Sequence, residues 1–372
     1  MSLKAKPEKS GSRINNVLIV AGGTGGHIFP ALAFGRWLLA REKAERVLYL
    51  SGNRPLEIEI YRSQGVEPHR LPLEGSPLGG GSILRNLGRW GGLIRSFFYV
   101  KKFLRHERPD GCFLFGSYVS LMPLLLCKIL GIPAIVHEQN ASAGKVTRLA
   151  SYLGVPVVSG WNECHGVKIF TPVGVPIRPL EKISRQTAAA ALGVSVNNKD
   201  IVIGIVGGSL SSASLSELAG KMGRVPTTHA PGDSSHVFVV LGEAPSNGEP
   251  GVCFVGRRWD MTAFYSLCDA VICRAGASTL AELAAYGIPA LTLPWEGAAD
   301  GHQEANARCF VALTGNSSWS AEEGNDALDE KFLDLLLRAS GMKYTDGSKS
   351  EPDDACSALW QFWEKNFLKI VD

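Results

Sequence analysis

Short apolar runs alternate with stretches of helical periodicity along the first part of the chain. Each run is apolar at consecutive positions rather than at every second position, which is typical of strands in a parallel sheet covered on both faces. The predicted strands are residues 17–20, 47–50, 112–115 and 134–136, and the predicted helices are residues 30–41, 56–64 and 118–130. This alternation predicts a doubly wound α/β domain.

The same alternation returns after residue 200. Strands are predicted at residues 201–206, 237–241, 271–273 and 290–293. Residues 171–180 read TPVGVPIRPL and contain three prolines, which suits a linker. A chain of 372 residues exceeds one ordinary core. We therefore predict two doubly wound α/β domains, residues 14–177 and 178–354, followed by a tryptophan-rich helical run at residues 355–370 that could pack on either one.

Residues 112–136 carry a single charge, Lys128, and are long enough to be considered as a membrane span. Gly116, Ser117, Gly131 and Pro133 divide this stretch into pieces of strand, helix and strand length. The division favours a buried βαβ segment over a membrane-spanning helix.

Composition narrows the classes of function. The formal net charge is only +3, which argues against a nucleic-acid binder that neutralises phosphates along a whole face. The eight cysteines form no CxxC pair and lie mostly in apolar runs, as expected of reduced thiols in a cytosolic protein. Residues 1–13 are polar and lack the apolar core of a secretion signal, so we expect a disordered leader.

Four glycines surround one threonine at residues 22–26, directly between a predicted strand and His27. Glycine allows a tight turn at positive φ and a close backbone approach to a ligand, and Pro30 suits the first turn of the following helix. The spacing matches neither GxGxxG nor GxxxxGK[ST]. One interpretation is a turn that only serves helix packing. The other is a ligand site, because His27 would stand at the carboxyl edge of a parallel sheet.

The second domain contains two similar turns. Gly207, Gly208 and Ser209 follow a predicted strand, and residues 276–279 begin a predicted helix. Two such N-termini facing one cleft could bind a diphosphate through N–H groups and helix dipoles. The sequence contains no Asp-x-Asp and no His/Cys cluster with ligand spacing, so we predict diphosphate binding without a metal and no cofactor.

Glu282 has two competing interpretations. Thr279 and Glu282 have the spacing of a capping box, in which the glutamate closes the N-terminus of the helix. One turn inside the helix, the same carboxylate could instead accept both hydroxyls of a ribose. Spacing alone does not separate the two.

Residues 75–106 contain no acidic residue. Basic side chains are interleaved there with large apolar ones, a pattern suited to an anionic membrane surface. The alternative is a core helix with a solvated basic face. The residues predicted to bind the membrane are Arg85, Arg89, Trp90, Arg95, Phe97, Phe98, Lys101 and Lys102.

Five motifs occur in the order and spacing of one known family. They read GGTGGHIFPALA, HEQNASAG, GGS, CRAGASTLAE and DGHQEANA, and the match extends from about residue 17 to residue 308. On these motifs the chain resembles the MurG family of N-acetylglucosaminyltransferases, which convert lipid I to lipid II in bacterial cell-wall synthesis. The resemblance implies a GT-B fold, in which two Rossmann-like domains face a central cleft. It also implies that residues 178–354 bind the donor and that a helix at about residues 355–372 returns to the first domain.

The resemblance further implies an inverting transfer from UDP-GlcNAc to lipid I, with His27 as the base beside the acceptor hydroxyl. The enzyme would act as a peripheral protein on the anionic, cytoplasmic face of the cell membrane, without a cofactor, a metal or nucleic acid. His137, at a predicted strand end, is interpreted as structural.

Family positions also imply the binding residues. They are Thr24, Gly25, Gly26, Asn140, Arg178, Ser209, Val255, Gly276, Ala277, Thr279, Glu282, His302 and Gln303. Ser209 would meet a phosphate, the backbone near Val255 the uracil, and Glu282 the ribose. His302 and Gln303 would bind the GlcNAc hydroxyls.

The chain departs from the family at the GGS loop, where residues 210–212 read LSS instead of the usual QGA. Two other classes stay open. A UDP-GlcNAc 2-epimerase shares the architecture and the donor but needs no lipid-docking segment. A non-catalytic, membrane-recruited nucleotide-sugar-binding adaptor would explain the altered loop, but not the presence of both His27 and Glu282.

Overall fold

The computed structural model describes residues 13–75, 83–207, 236–243, 252–298, 301–341 and 353–368, with side chains of residues 83–89 left out. Two parallel sheets organise this part of the chain. The first sheet has seven strands and the second has six. Ser209 and the rest of the altered loop, as well as the predicted leader up to residue 12, lie outside the described residues.

Eight strands at the centre of the two sheets coincide with predicted apolar runs. Five short strands of two or three residues, at or next to the sheet edges, were not predicted, and one of them lies in the predicted linker. Those of the first sheet are β1 (Ile14–Val20), β2 (Ala44–Ser51), β3 (His69–Arg70), β4 (Gly111–Leu114), β5 (Ala134–Glu138), β6 (Val157–Ser159) and β7 (Thr171–Pro172). Those of the second are β8 (Ile201–Val206), β9 (His236–Leu241), β10 (Val252–Phe254), β11 (Ala270–Cys273), β12 (Ala290–Thr292) and β13 (Ser317–Ser318). The strand order is β3-β2-β1-β4-β5-β6-β7 in the first sheet and β10-β9-β8-β11-β12-β13 in the second.

Helices cover both faces of each sheet. They are α1 (Gly25–Ala40), α2 (Pro55–Ser63), α3 (Ile83–Glu107), α4 (Leu121–Leu130), α5 (Lys145–Tyr152), α6 (Arg185–Leu192), α7 (Thr262–Leu267), α8 (Ala277–Tyr286), α9 (His302–Thr314), α10 (Gly324–Ala339) and α11 (Asp354–Phe367). Successive side chains of β1 belong to different hydrophobic cores. Leu18 and Val20 pack with α3 and α4, whereas Val17 and Ile19 pack with α1 and α11. Burial on both faces explains why this strand is apolar throughout.

The segment at residues 112–136 is a βαβ unit, as predicted. β4 pairs in parallel with β5 through Cys112 and Ala134, and α4 connects the two. Among the described residues, no helix is both long enough and apolar enough to cross a membrane.

The last described helix, α11, packs on the first sheet. Trp360 and Trp363 are almost fully buried, and the ring centroid of Trp363 lies 4.6 Å from that of Phe113 on β4. A Cβ atom on Gly111 would lie 2.3 Å from the Trp363 ring. The absence of a side chain at Gly111 therefore lets α11 approach the sheet.

Helix α1 begins five residues earlier than the sequence predicts. Gly25 and Gly26 are helical, so Pro30 lies inside the helix rather than in its first turn. The glycine-rich segment is accordingly a short turn followed by a glycine-initiated helix, and His27 belongs to the first turn of that helix.

Candidate active site

The turn between β1 and α1 brings His27 to the carboxyl edge of the first sheet. Gly23 has a φ of 84°, where a side chain would be strained. A Cβ atom on Gly23 would lie 2.6 Å from Ser117 Oγ, and one on Gly22 would lie 2.8 Å from Glu57 Oε1. The chain therefore needs glycine at both positions. Thr24 precedes α1 as its N-cap, without a side-chain capping bond.

Glu57 on α2, which the sequence analysis did not find, holds this turn. Its buried carboxylate accepts hydrogen bonds from the N–H of Gly23, the N–H of Arg54 at 2.9 Å, and the Tyr118 hydroxyl at 2.8 Å. Burial and the negative charge of Glu57 raise the pKa of Tyr118, so the phenol stays a donor. No local sequence pattern signals this carboxylate, because its main partners lie 34 and 61 residues away.

His27 is bound to the second motif through Gln139. His27 Nδ1 lies 2.7 Å from Gln139 Oε1, and Gln139 Nε2 lies 3.0 Å from Nδ1 of His137. His137 is buried, and its Nε2 is 2.8 Å from the carbonyl oxygen of Gly174. This agrees with a structural role for His137 and connects His27 to the chain that leads into the linker.

Asn140 lies where the two domains meet. Its Oδ1 accepts a bond of 3.1 Å from Nδ2 of Asn306 on α9, and Asn306 also bonds the Ala141 N–H and the Ala275 carbonyl. Glu138 holds the Asn140 side chain from the other end at 3.1 Å. Asn306 is fully buried and joins both domains. Asn306 lies in the motif DGHQEANA, but nothing in the motif itself distinguishes this asparagine as a residue that joins the domains.

The N-termini of α1 and α8 meet across the cleft. Pro30 has no N–H, so the carbonyl of Gly26 lacks its helical partner. The Ser278 hydroxyl on α8 donates to that carbonyl at 3.0 Å. Gly276 is the N-cap of α8, and Ala277 and Thr279 lie in its first turn. Because each helix N-terminus carries a positive partial charge, the two together favour an anion between them.

Glu282 makes no capping box. Helix α8 begins at Ala277, so Glu282 lies in the second turn, too far inside to reach the N-cap. Its buried carboxylate instead accepts bonds from Arg178 at 2.9 and 3.2 Å and from the Tyr265 hydroxyl at 2.9 Å. Burial alone would lower the pKa of Arg178, but the adjacent Glu282 outweighs this and raises it. The capping interpretation is therefore wrong.

A cavity of about 670 Å³ opens beside this ion pair, within the size range of small-molecule sites. Arg178, Glu282, Trp259 and Met261 contribute to its lining. The guanidinium of Arg178 lies over the ring of Phe29 at 4.1 Å and bonds the carbonyl of Trp259. Arg36 and Trp37 on α1 also line the cavity, so its walls come from both domains.

Val255 and Gln303, two other predicted binding residues, make hydrogen bonds within the second domain. The N–H of Val255 bonds the Val240 carbonyl at 3.0 Å, and the Val255 carbonyl accepts from Arg258 at 3.2 Å. His302 and Gln303 form the first turn of α9, and Gln303 Oε1 accepts the Trp295 N–H at 2.9 Å. Within the described ranges, no group of three or more His, Cys, Asp or Glu side chains could hold a metal ion.

Helix α3 carries apolar side chains on two faces. Leu93, Val100, Phe103 and Leu104 are buried against the first sheet. Trp90, Ile94 and Phe98, each four residues from the next, are 52%, 61% and 64% exposed, and we call them the α3 ridge. Arg95 and Lys102 are exposed on the same helix, and Lys101 lies over the Phe97 ring at 5.9 Å. The outer face of α3 is therefore both apolar and basic, unlike that of a core helix whose exposed face is only basic. The side chains of Arg85 and Arg89 lie outside the described residues.

The two domains match known family models in the same order. Residues 17–153 match the glycosyltransferase family 28 N-terminal domain, and residues 202–355 match the corresponding C-terminal domain. Two parallel Rossmann-like sheets that meet at a cleft, with these two domains, define a glycosyltransferase of the GT-B fold.

Individual relatives narrow the family further than the two domain models do. The chain is 33% identical over 314 residues to the UDP-N-acetylglucosamine--N-acetylmuramyl-(pentapeptide) pyrophosphoryl-undecaprenol N-acetylglucosamine transferase of Dechloromonas aromatica, covering 80% of this chain and 84% of the relative. It is 32% identical to the Pseudomonas putida (strain GB-1) protein of the same name, covering 90% and 92%. The crystal structure of Acinetobacter baumannii MurG superposes with a TM-score of 0.65 at 22% identity, covering 94% of this chain and 99% of that one. The chain belongs to the MurG family of glycosyltransferases.

Proposed function

We propose that this chain transfers N-acetylglucosamine from UDP-GlcNAc to the C4 hydroxyl of MurNAc-pentapeptide on undecaprenyl diphosphate. The names of the relatives supply these substrates. The observation that carries the proposal is the position of His27. It lies in the first turn of α1, whose Gly26 carbonyl is one hydrogen bond from Ser278 in the first turn of α8. A base and an anion site thus adjoin each other.

In the proposed reaction, His27 is the general base. Its Nδ1 is bound to Gln139, and among the described residues no hydrogen bond involves its Nε2. The proton of the C4 hydroxyl passes to Nε2 while the C4 oxygen forms a bond to C1 of GlcNAc. The bond from C1 to the UDP oxygen breaks, and its electron pair leaves with the diphosphate. Attack from the face opposite UDP inverts C1.

The leaving diphosphate is stabilised by N–H groups and dipoles at the two helix N-termini, without a metal ion. Thr24, Gly25 and Gly26 contribute from α1, and the first turn of α8 contributes from the second domain. Ser209 is proposed to meet a phosphate from the GGS loop. Such preorganised donors need no rearrangement as charge develops.

The nucleoside is proposed to bind in the cavity beside Glu282. A carboxylate offers about four acceptor positions, and Arg178 and Tyr265 use three of them. The ribose hydroxyls would therefore replace at least one of these partners. Val255 and its neighbours are proposed to contact the uracil, and His302, Gln303 and Asn140 to line the sugar side.

The acceptor is carried by a lipid, and we propose that the α3 ridge and the basic residues around it bind an anionic membrane from the cytoplasmic face. Apolar side chains that are exposed in water gain from insertion at the level of the lipid headgroups, and basic side chains add attraction to anionic lipids. This combination would bring the cleft to lipid I.

Transfer of labelled GlcNAc from UDP-GlcNAc to a short-chain lipid I analogue, with EDTA present, tests the proposal. Product from the wild-type protein is expected, and His27→Ala should lower kcat by about 10²–10⁴-fold while UDP affinity stays unchanged. Binding of UDP-GlcNAc by calorimetry without any product would instead indicate another acceptor. Unchanged turnover in His27→Ala would exclude this histidine as the base.

A further inference from the structure

The buried side chain of His137 determines the orientation of its neighbour. Its Nε2 lies 2.8 Å from the Gly174 carbonyl oxygen. A carbonyl oxygen only accepts, so Nε2 must carry the proton. Burial lowers the pKa of His137 to about 4, which keeps the ring neutral at physiological pH. Nδ1 of His137 is consequently an acceptor.

The amide of Gln139 has only one orientation that satisfies these contacts. One end of the amide lies 3.0 Å from Nδ1 of His137 and 2.9 Å from the carbonyl oxygen of the same residue. Both of those atoms are acceptors, so this end must be the NH₂ group. The other end is therefore the amide oxygen, and it lies 2.7 Å from Nδ1 of His27.

The backbone of Gln139 is anchored as well. Trp161 Nε1 donates to the Gln139 carbonyl at 2.9 Å, and Gln139 itself is almost fully buried. Gly116, whose φ of 74° favours glycine, lies in van der Waals range of the imidazole on the other side. A Cβ atom at that position would lie 3.5 Å from Nδ1 and Cε1 of His27.

We propose that Gln139 is a positioning residue that holds His27 in the tautomer protonated at Nδ1. Because an amide oxygen only accepts, Nδ1 of His27 must donate, and Nε2 keeps the lone pair that a general base needs. The order of the contacts is Gly174 carbonyl, His137, Gln139 and His27, and each member determines the next. The amide orients the ring without a negative charge beside it. The inference rests on the proposed role of His27 as the base.

The tautomer can be measured directly in the wild-type protein. Nitrogen NMR of histidine-labelled protein distinguishes a protonated ring nitrogen from one with a lone pair, and loss of the signals in His27→Ala assigns them. We expect a protonated Nδ1 and an unprotonated Nε2 at neutral pH. A proton on Nε2 of His27 in the wild type would overturn the inference. This measurement does not depend on the folding of any Gln139 variant.

Gln139→Met keeps the length of the side chain but removes both the amide oxygen and the NH₂ group. We expect the NMR signals of His27 to lose the pure Nδ1-protonated pattern. We also expect kcat to fall by about tenfold to hundredfold, part of what a general base contributes, with KM for UDP-GlcNAc unchanged. Gln361→Met, on the exposed face of α11, is the matched control and should change neither quantity.

The inference and the proposed function fail in different ways. Wild-type kcat and an unchanged His27 tautomer in Gln139→Met would overturn the inference, even if His27→Ala is inactive. Wild-type kcat in His27→Ala would overturn the base assignment, and with it the catalytic role of Gln139. A fall in both kcat and UDP affinity in Gln139→Met would show a general structural role and would also overturn the inference.

Discussion

Three donors converge on the buried carboxylate of Glu57: two backbone N–H groups and the Tyr118 hydroxyl. Glu57→Gln replaces one acceptor oxygen by an NH₂ group that faces a donor. A buried donor left without a partner costs about 1–3 kcal/mol, so the free energy of unfolding in urea should fall by that amount. Glu67→Gln, at an exposed glutamate, is the control. An equal, small change in both variants would contradict a specific role for Glu57.

The proposed role of Glu282 in ribose binding can be tested by measuring the UDP affinity of a Glu282 variant. Glu282→Gln keeps the size of the side chain but removes the charge, and hydrogen bonds to charged groups contribute about 1.5–3 kcal/mol. We expect the UDP affinity in calorimetry to fall by at least about tenfold. Tyr265→Phe removes one partner of the same carboxylate without changing the carboxylate, so its UDP affinity should stay near that of the wild type. Equal loss in the two variants would point to a disturbed pocket rather than to ribose binding.

The residues that sequence reasoning missed share one property. Glu57, Gln139 and Asn306 each bond atoms that are far away along the chain, at separations of 34, 112 and 165 residues. Motifs single out His27 and Glu282 as candidates because their surroundings in the sequence are distinctive. The partners that orient such residues depend on tertiary packing, which no local pattern encodes.

At the scale of helices and strands, apolar runs predicted the central strands of both sheets but not the short strands at their edges, and they placed the start of the first helix too late. Residues 201–206 were predicted as a strand with the bounds that the structure has. Buried parallel strands are apolar throughout, and turn residues bound them, so their limits are visible in the sequence. Helix α1 was predicted to start at Pro30 but starts at Gly25. Glycine is a poor helix former, and here tertiary contacts to the turn override that preference.

We expect the exposed rings of the α3 ridge to contribute to membrane binding. Replacing Trp90 and Phe98 by Ser removes two exposed rings that would insert into a lipid surface. Full burial of such a side chain contributes about 1.5–3 kcal/mol, so co-sedimentation with anionic liposomes should fall by at least about tenfold. The control replaces Tyr152 and Ile169 by Ser, since these are 87% and 85% exposed but lie outside α3. Liposome binding that survives the α3 variant would exclude the ridge as the membrane-binding surface.

The basic residues of α3 should make the same binding sensitive to salt. In a variant with Arg95, Lys101 and Lys102 changed to Glu, sedimentation with anionic liposomes should decrease, since attraction to anionic lipid contributes about 1 kcal/mol per basic residue near the surface. Raising the ionic strength should weaken wild-type binding in the same direction. Liposomes without anionic lipid are the control. If wild-type binding were as strong to them, the charge would have no part in docking.

At the scale of the whole molecule, contacts between the domains bring two separate glycine-rich elements to one cleft. Asn306 bonds backbone atoms from both domains, and Ser278 reaches the Gly26 carbonyl. The sequence predicted two domains and motifs in each, but it held no information on which side chains would join them. The position of Pro30 inside α1 also has an explanation in these contacts. Because the proline has no N–H, the Gly26 carbonyl has no partner within α1 and accepts a hydrogen bond from the second domain.

The hydrogen bond from Ser278 to the Gly26 carbonyl predicts an energetic coupling between Ser278 and Pro30, which lie in different domains. Ser278→Ala removes a hydrogen bond of about 0.5–1.5 kcal/mol, so kcat/KM should fall by about twofold to tenfold. Pro30→Ala introduces an N–H that can bond the Gly26 carbonyl within α1, which makes the Ser278 hydroxyl less important. In the Pro30→Ala background, Ser278→Ala should therefore have a smaller effect, and the double-mutant cycle should give a coupling energy of at least about 0.5 kcal/mol. Ser63→Ala, which loses a hydroxyl bond to the Ile60 carbonyl within α2, should show no such dependence on Pro30. If the effects of Ser278→Ala and Pro30→Ala simply added, the proline would have no part in joining the domains.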